Sequence, residues 1–207
     1  MREQAKATLA RLARKVEPRA TWSDLRLTAA QEQTLREVCL DAHERATIRA
    51  RPATADQAAA ASGVAVLLVG GDTGARLVAA EVAARDLHLD LYRVDLSRVV
   101  SKYIGETEKN MQRIFDAAEH LGVILFFDEA DALFGKRTEV KDSHDRYANL
   151  DVSFLLARIE ASTGLVILAT NFRATEAEAE SDAVLRRIRY VVDLAPPSRR
   201  PPGGGPR

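Results

Sequence analysis

The 207-residue chain has one cysteine, Cys39, one tryptophan, Trp22, and only 5% aromatic residues. A lone cysteine excludes an intramolecular disulfide framework and any multi-cysteine zinc site. The four histidines, His43, His88, His120 and His144, are scattered without ligand spacing, which argues against a metal centre built on imidazoles. Neither sign of charge prevails, because 30 basic and 30 acidic side chains leave a formal net charge of zero. There is therefore no global electrostatic pull toward nucleic acid or an anionic membrane. The longest apolar runs, Val64–Val69 and Val123–Phe127, are far too short to cross a bilayer. The opening MREQAKATLARLARK is amphipathic and lacks the continuous apolar stretch of a signal peptide. What is abundant is apolar surface: 46% hydrophobic residues suffice for one packed core of good size. The expectation is a soluble protein of a reducing, cytoplasmic compartment.

Residues 1–50 read as helical, with Leu9, Leu12 and Val16 at helical spacing and a second helix starting at Thr28, where Thr28-Ala-Ala-Gln31 has a capping-box pattern. Trp22 lies between them and reads as a docking anchor, the alternative being a surface on which a ligand stacks. Residues 51–63 have the small-residue composition of a linker. From Val64 the character changes. Short apolar runs at Val64–Val69, Leu89–Val94, Val123–Phe127, Leu165–Ala169 and Tyr190–Leu194 alternate with helical stretches at Val78–Leu87, Thr107–Leu121 and up to about Ile159. That alternation predicts an α/β fold with a mainly parallel five-stranded sheet covered on both faces over 64–195. The last stretch, 196–207, holds five of the seven prolines and reads as a disordered tail. Cys39 sits on an apolar helix face and reads as core rather than nucleophile.

Chemistry concentrates after the third strand. Ile124-Leu125-Phe126-Phe127-Asp128-Glu129 delivers two adjacent carboxylates to the C-terminal edge of a sheet, where open α/β folds bind ligands. One carboxylate there can hold Mg²⁺ while the next activates water for phosphoryl transfer; the alternative is an acid-rich helix start that suits the macrodipole.

With those residues in view the chain resembles the AAA+ ATPases, most closely a bacterial subgroup sharing SRVVSKYIGETEKN and FFDEADALFGKR. The resemblance runs from about Val64 to Leu194. It implies a three-layer sandwich of the P-loop NTPase type, ATP and Mg²⁺ as cofactors, and assembly with itself or a homologous subunit in a ring that acts on a polypeptide. In that frame Asp128 is the Mg²⁺ residue, Glu129 the catalytic base, and Asn171 the sensor that orients the lytic water. Arg186 and Arg189 fit the two arginine-finger positions, and Tyr103, Ile104 and Gly105 belong to the pore loop. The helical lid that usually follows this core in the family is expected to be missing before the tail.

The phosphate loop matches in position but not in residues. Where the family reads G-x-x-x-x-G-K-[ST], this chain reads Gly70-Gly71-Asp72-Thr73-Gly74-Ala75-Arg76-Leu77. Ala75 adds a Cβ where backbone must approach phosphate, Arg76 replaces the compact lysine with a planar fork, and Leu77 removes the hydroxyl that ligates Mg²⁺. A carboxylate from Asp72 about 4 Å from a phosphate charge would cost about 4 kcal/mol at an effective dielectric near 20. The expectation is an AAA+ module with impaired nucleotide chemistry, or a non-catalytic partner that lends fingers and a pore loop to a mixed ring.

Overall fold

The computed structural model describes residues 1–50, 62–95, 99, 105–130, 153–171 and 186–195. The linker stretch 51–61, the pore residues Tyr103 and Ile104, the segment between Asn171 and Arg186, and the tail lie outside the described residues. The elements in chain order are α1 (Arg2–Leu12), β1 (Arg14–Val16), a 3₁₀ turn (Trp22–Asp24), α2 (Ala29–Arg49), β2 (Val64–Val69), α3 (Thr73–Leu87), β3 (Leu91–Asp95), α4 (Glu106–Leu121), β4 (Ile124–Asp128), a helix α5 over 153–161, β5 (Leu165–Ala169) and β6 (Tyr190–Asp193).

Among the described residues the strands form one sheet in the order β1-β3-β4-β5-β2-β6, parallel except for β1. Its central strands are apolar without interruption because both faces are covered, the pattern expected of a parallel sheet. The period-two alternation divides their side chains cleanly. Leu67, Val69, Val94, Leu125, Phe127 and Leu168 pack on one side with Leu9 of α1 and Ile114 and Phe115 of α4. Val66, Leu68, Leu91, Ile124, Phe126 and Ile167 pack on the other, against Leu35, Val38 and Cys39 of α2 and the alanine-lined face of α3.

The helical reading of residues 1–50 is corrected at Arg14–Val16. Val16 continues the spacing of Leu9 and Leu12 in sequence, yet the chain leaves α1 at Ala13 in an extended conformation and Val16 pairs antiparallel with Leu91. Among the described residues the sheet thus has six strands rather than five. Without β1, β3 would present an unpaired edge; three residues with Arg14 and Lys15 exposed close it with a short, charged strand. Lys15 Nζ lies 3.0 Å from Asp90, and that carboxylate raises the lysine above its ordinary value.

The start of α2 follows its sequence. Thr28 accepts from the Gln31 amide at 3.3 Å, and Gln31 Oε1 accepts from the Thr28 amide at 2.7 Å. The Gln31 Nε2 also donates to the carbonyls of Asp193 and Ala195, tying the helix start to the end of β6. Trp22 is a docking anchor: its Nε1 donates to Asp86 on α3 at 3.2 Å, and the Arg36 guanidinium sits 4.0 Å from the ring centroid. That cation covers a ring face on which a ligand would have stacked.

Cys39 is buried, and desolvation pushes its thiol up to about 12 from 9.0. Because the folded value is raised, this contribution to stability is intact below pH 9.0 and is lost as pH rises toward 12. Native protein is expected to react with a thiol reagent only as fast as it opens. Denaturation midpoints should fall between pH 8 and pH 11 by more than in a Cys39→Ala control, on the scale of about 1 kcal/mol or more. Rapid labelling of native protein would contradict the burial argument.

Candidate functional site

In the sheet β2 lies between β5 and β6, and β4 lies on the far side of β5, so the C-terminal ends of β2, β4 and β5 share one edge. The backbone pairing of β2 with β5 extends one residue further, since the Thr170 amide donates to Leu68 O at 3.1 Å. This sets Asn171 beside the loop that leaves β2. Gly70, Gly71, Asp72, Thr73, Gly74, Ala75, Arg76 and Leu77 form the turn from β2 into α3, while Asp128 and Glu129 end β4. The strand order thus sets the loop after β2 and the ends of β4 and β5 along one edge of the sheet.

The loop turns through two glycines in the left-handed region, Gly70 at φ +64 and Gly71 at φ +62. At Gly70 a Cβ would stand 2.6 Å from Asp193 Oδ1, so the position also requires the missing side chain. Asp72 is the N-cap of α3, and its Oδ1 accepts from the Ala75 amide at 2.7 Å. A helix N-terminus offers unpaired amides and a partial positive charge, which suits it to anions. Here the chain's own carboxylate takes that role.

Arg76 is 1% exposed and turns back into the loop. Its Nη1 donates to the carbonyls of Gly70 and Gly71, each at 3.0 Å. Its Nη2 donates to Thr73 Oγ1 at 3.1 Å and to Asn171 Oδ1 at 2.6 Å. Among the described residues its Nε is buried without a hydrogen-bond partner, and no carboxylate pairs with the guanidinium. The loop is thus bridged to the end of β5 by a side chain of the loop itself.

Asp128 is also enclosed. One oxygen, Oδ2, accepts from Nη2 of Arg93 in a close ion pair, and Oδ1 accepts from the Glu129 amide at 3.0 Å. The Asp128 side chain is 3% exposed. Glu129 is exposed and holds φ +56, an unfavourable conformation for a residue with a Cβ. Sequence reasoning missed Arg93. The available signal was a basic residue in the middle of a strand, between the buried Tyr92 and Val94 and diagonal to Asp128 across the β3–β4 pairing.

The arginines before β6 are placed differently from one another. Arg186 is exposed in the turn, Arg187 pairs with Glu160 at 3.1 Å, and Arg189 Nε lies 2.7 Å from Asp41 of α2. Asp41 is a junction, since it also accepts from Arg45 at 2.7 Å and from the Tyr190 hydroxyl at 3.2 Å. Of the pore residues, Gly105 is described: it is the N-cap of α4, at φ +74. Among the described residues no three His, Cys, Asp or Glu side chains form a metal-holding group, and no helix is long and apolar enough to cross a membrane.

A glycine-bearing loop between the first core strand and its helix, with carboxylates at the end of another parallel strand, defines an α/β domain of the P-loop NTPase fold. The family model described as "ATPase family associated with various cellular activities (AAA)" matches residues 66–194. That is more than half of the chain, and the chain belongs to this family. It is 33% identical over 118 residues to an uncharacterised AAA family ATPase, y4kL, of Sinorhizobium fredii, covering 56% of this chain and 34% of that protein. It is 33% identical over 139 residues to the proteasome-activating nucleotidase of Methanococcus vannielii, covering 64% of this chain and 33% of that one. Spastin of Xenopus laevis is 32% identical over 139 residues, 64% of this chain and 22% of its own. The chain therefore spans about a third or less of the length of these relatives. Among solved structures, the FIGL-1 AAA domain superposes with a TM-score of 0.65 at 22% identity, over 93% of this chain and 61% of that one. The same domain in complex with ADP gives 0.64 at 20% identity. At those identities the likeness concerns the fold.

Proposed function

We propose that this chain is an AAA-family subunit of a protein-remodelling ring whose own nucleotide site is impaired. The observation that carries the reading is Arg76. Its guanidinium occupies the loop, bonded to Gly70, Gly71, Thr73 and Asn171, where the family's pattern calls for a lysine directed at phosphate. Phosphate entering the loop must displace four hydrogen bonds of about 1 kcal/mol each and compete with the Asp72 carboxylate for the helix N-terminus. The resemblance to the bacterial subgroup and the eroded Walker A sequence support the same reading.

In a ring, the contribution of such a subunit is to its neighbour. Arg186 and Arg189, both exposed ahead of β6, are the fingers we assign, and Arg189 also fastens β6 to α2 through Asp41. Tyr103, Ile104 and Gly105 supply the pore loop that grips a polypeptide. Glu129 and Asn171 keep the base and sensor positions without a seated γ-phosphate. A cytoplasmic setting agrees with the unpaired thiol of Cys39.

The test is titration of Mg-ATP by calorimetry into the parent and into an Ala75→Gly/Arg76→Lys/Leu77→Thr variant. The parent is expected to give no binding heat and the variant to gain at least about a hundredfold in affinity, equivalent to about 2.7 kcal/mol. ATP turnover by the parent that Glu129→Gln abolishes would overturn the reading. The ring role is checked separately by co-assembly with an active homologue, where Arg186→Ala is expected to lose any stimulation of its ATPase.

A further inference from the structure

The divalent cation that the family implies does not fit the residues present. Mg²⁺ requires near-octahedral oxygen ligation and gives up its waters reluctantly, so a site must offer available oxygens. Leu77 stands where a hydroxyl would be and has none. The Thr73 hydroxyl and the Asn171 carbonyl oxygen both accept from Arg76 Nη2, at 3.1 and 2.6 Å. Asp128 has both oxygens engaged, one by the Arg93 guanidinium and the other by the Glu129 amide.

The geometry points to a specific substitution: the guanidinium of Arg93 takes the place of the divalent cation at Asp128, making this a metal-excluding carboxylate. This rests on the reading of an impaired nucleotide site and deepens it, because it concerns the cation rather than the phosphates. The placement follows from the sheet. Arg93 pairs in register with Phe126, and Asp95 with Asp128, so Arg93 reaches Asp128 diagonally between neighbouring parallel strands. Two residues of spacing and a long side chain suffice. A fixed cation from the chain neutralises a 3%-exposed carboxylate without any ligand from solution. The Arg76 guanidinium, buried in the loop and without a carboxylate partner among the described residues, adds a second positive charge that opposes entry of a dication.

The experiment uses Mn²⁺ alone, with no nucleotide, and follows paramagnetic broadening in the NMR spectrum of the full chain. The reporter is the Glu129 amide, 3.0 Å from Asp128 Oδ1. In the parent, millimolar Mn²⁺ is expected to leave this resonance, and the guanidinium signal of Arg93, unbroadened. In Arg93→Gln the Glu129 amide is expected to broaden, with Mn²⁺ affinity rising roughly tenfold or more, and a further Asp128→Asn change to cancel the gain. Broadening of the parent's Glu129 amide that Asp128→Asn removes would overturn the proposal, whether or not the Arg93 variant folds. A folded Arg93→Gln protein that gains no Mn²⁺ affinity would also overturn it. Calorimetry with ATP in the presence of a chelator separates the two readings. ATP binding by the parent without metal defeats the impaired-site reading alone, while Mn²⁺ at Asp128 without ATP binding defeats the metal-exclusion proposal alone.

Discussion

Truncating Phe127 to alanine is expected to lower the unfolding free energy by about 3–5 kcal/mol, the range for removal of a fully buried aromatic ring. Phe127 has no exposed surface and stands one residue before Asp128. In the sheet it pairs with Val94 of β3 and Leu168 of β5, so the strands on both sides close over it. Above it the Phe115 ring of α4 stacks with centroids 5.7 Å apart and planes inclined by 23°, a contact worth about 0.5–1.5 kcal/mol beyond area burial. Nothing near it can collapse easily into the space, because the flanking side chains are held by strand pairing and by α4. For a chain of this size the melting temperature should fall by roughly 10 °C. Phe127→Leu, which retains most of the volume, should cost less than about 2 kcal/mol. Urea denaturation of the two variants side by side checks the ordering. A loss below about 1 kcal/mol for the alanine variant would show that the sheet is not packed against α4 as described.

The same residue illustrates what the sequence makes legible. Val64–Val69, Ile124–Phe127 and Leu165–Ala169 are unbroken apolar runs because strand burial on both faces demands it, so the core strands and their parallel arrangement can be read directly. The edges carry less information. Arg14–Val16 is too short to display alternation, and its one inward residue, Val16, coincides with the helical spacing of Leu9 and Leu12. The candidate site divides along the same physical line. Backbone topology brings Gly70–Leu77, Asp128 and Asn171 to one sheet edge, and local sequence specifies that much. What fills the edge depends on where long cationic side chains turn. Arg76 meets Asn171 across 95 positions of sequence, and Arg93 meets Asp128 across 35. No local pattern encodes those choices. Asp72 was legible as a carboxylate hostile to phosphate; that it caps α3 through the Ala75 amide depends on the turn made by Gly70 and Gly71.

Replacing Arg93 by methionine is expected to destabilise the fold by about 3 kcal/mol, although the substitution is made at a position one-third exposed to solvent. The cost arises on the partner. Asp128 remains buried at the end of β4, retains among the described residues only the Glu129 amide, and must stay charged without its cation or take up a proton. The reverse change is milder. In Asp128→Asn the Arg93 guanidinium can turn its exposed end toward water, so about 1 kcal/mol is expected. The double variant Arg93→Met/Asp128→Asn leaves no buried charge and should cost about 1–2 kcal/mol, well below the sum of the two single changes. A coupling energy near 2 kcal/mol in this double-mutant cycle, measured by urea denaturation, identifies Asp128 as one half of a structural ion pair. Additive single effects would mean that Arg93 and Asp128 act independently, with Asp128 left available to another cation. An AAA strand that ends in an internally neutralised carboxylate gains a fixed edge for β3 and β4 at the position where the family implies a metal. The side chain that stabilises Asp128 and the one proposed to keep a metal from it are then the same, Arg93.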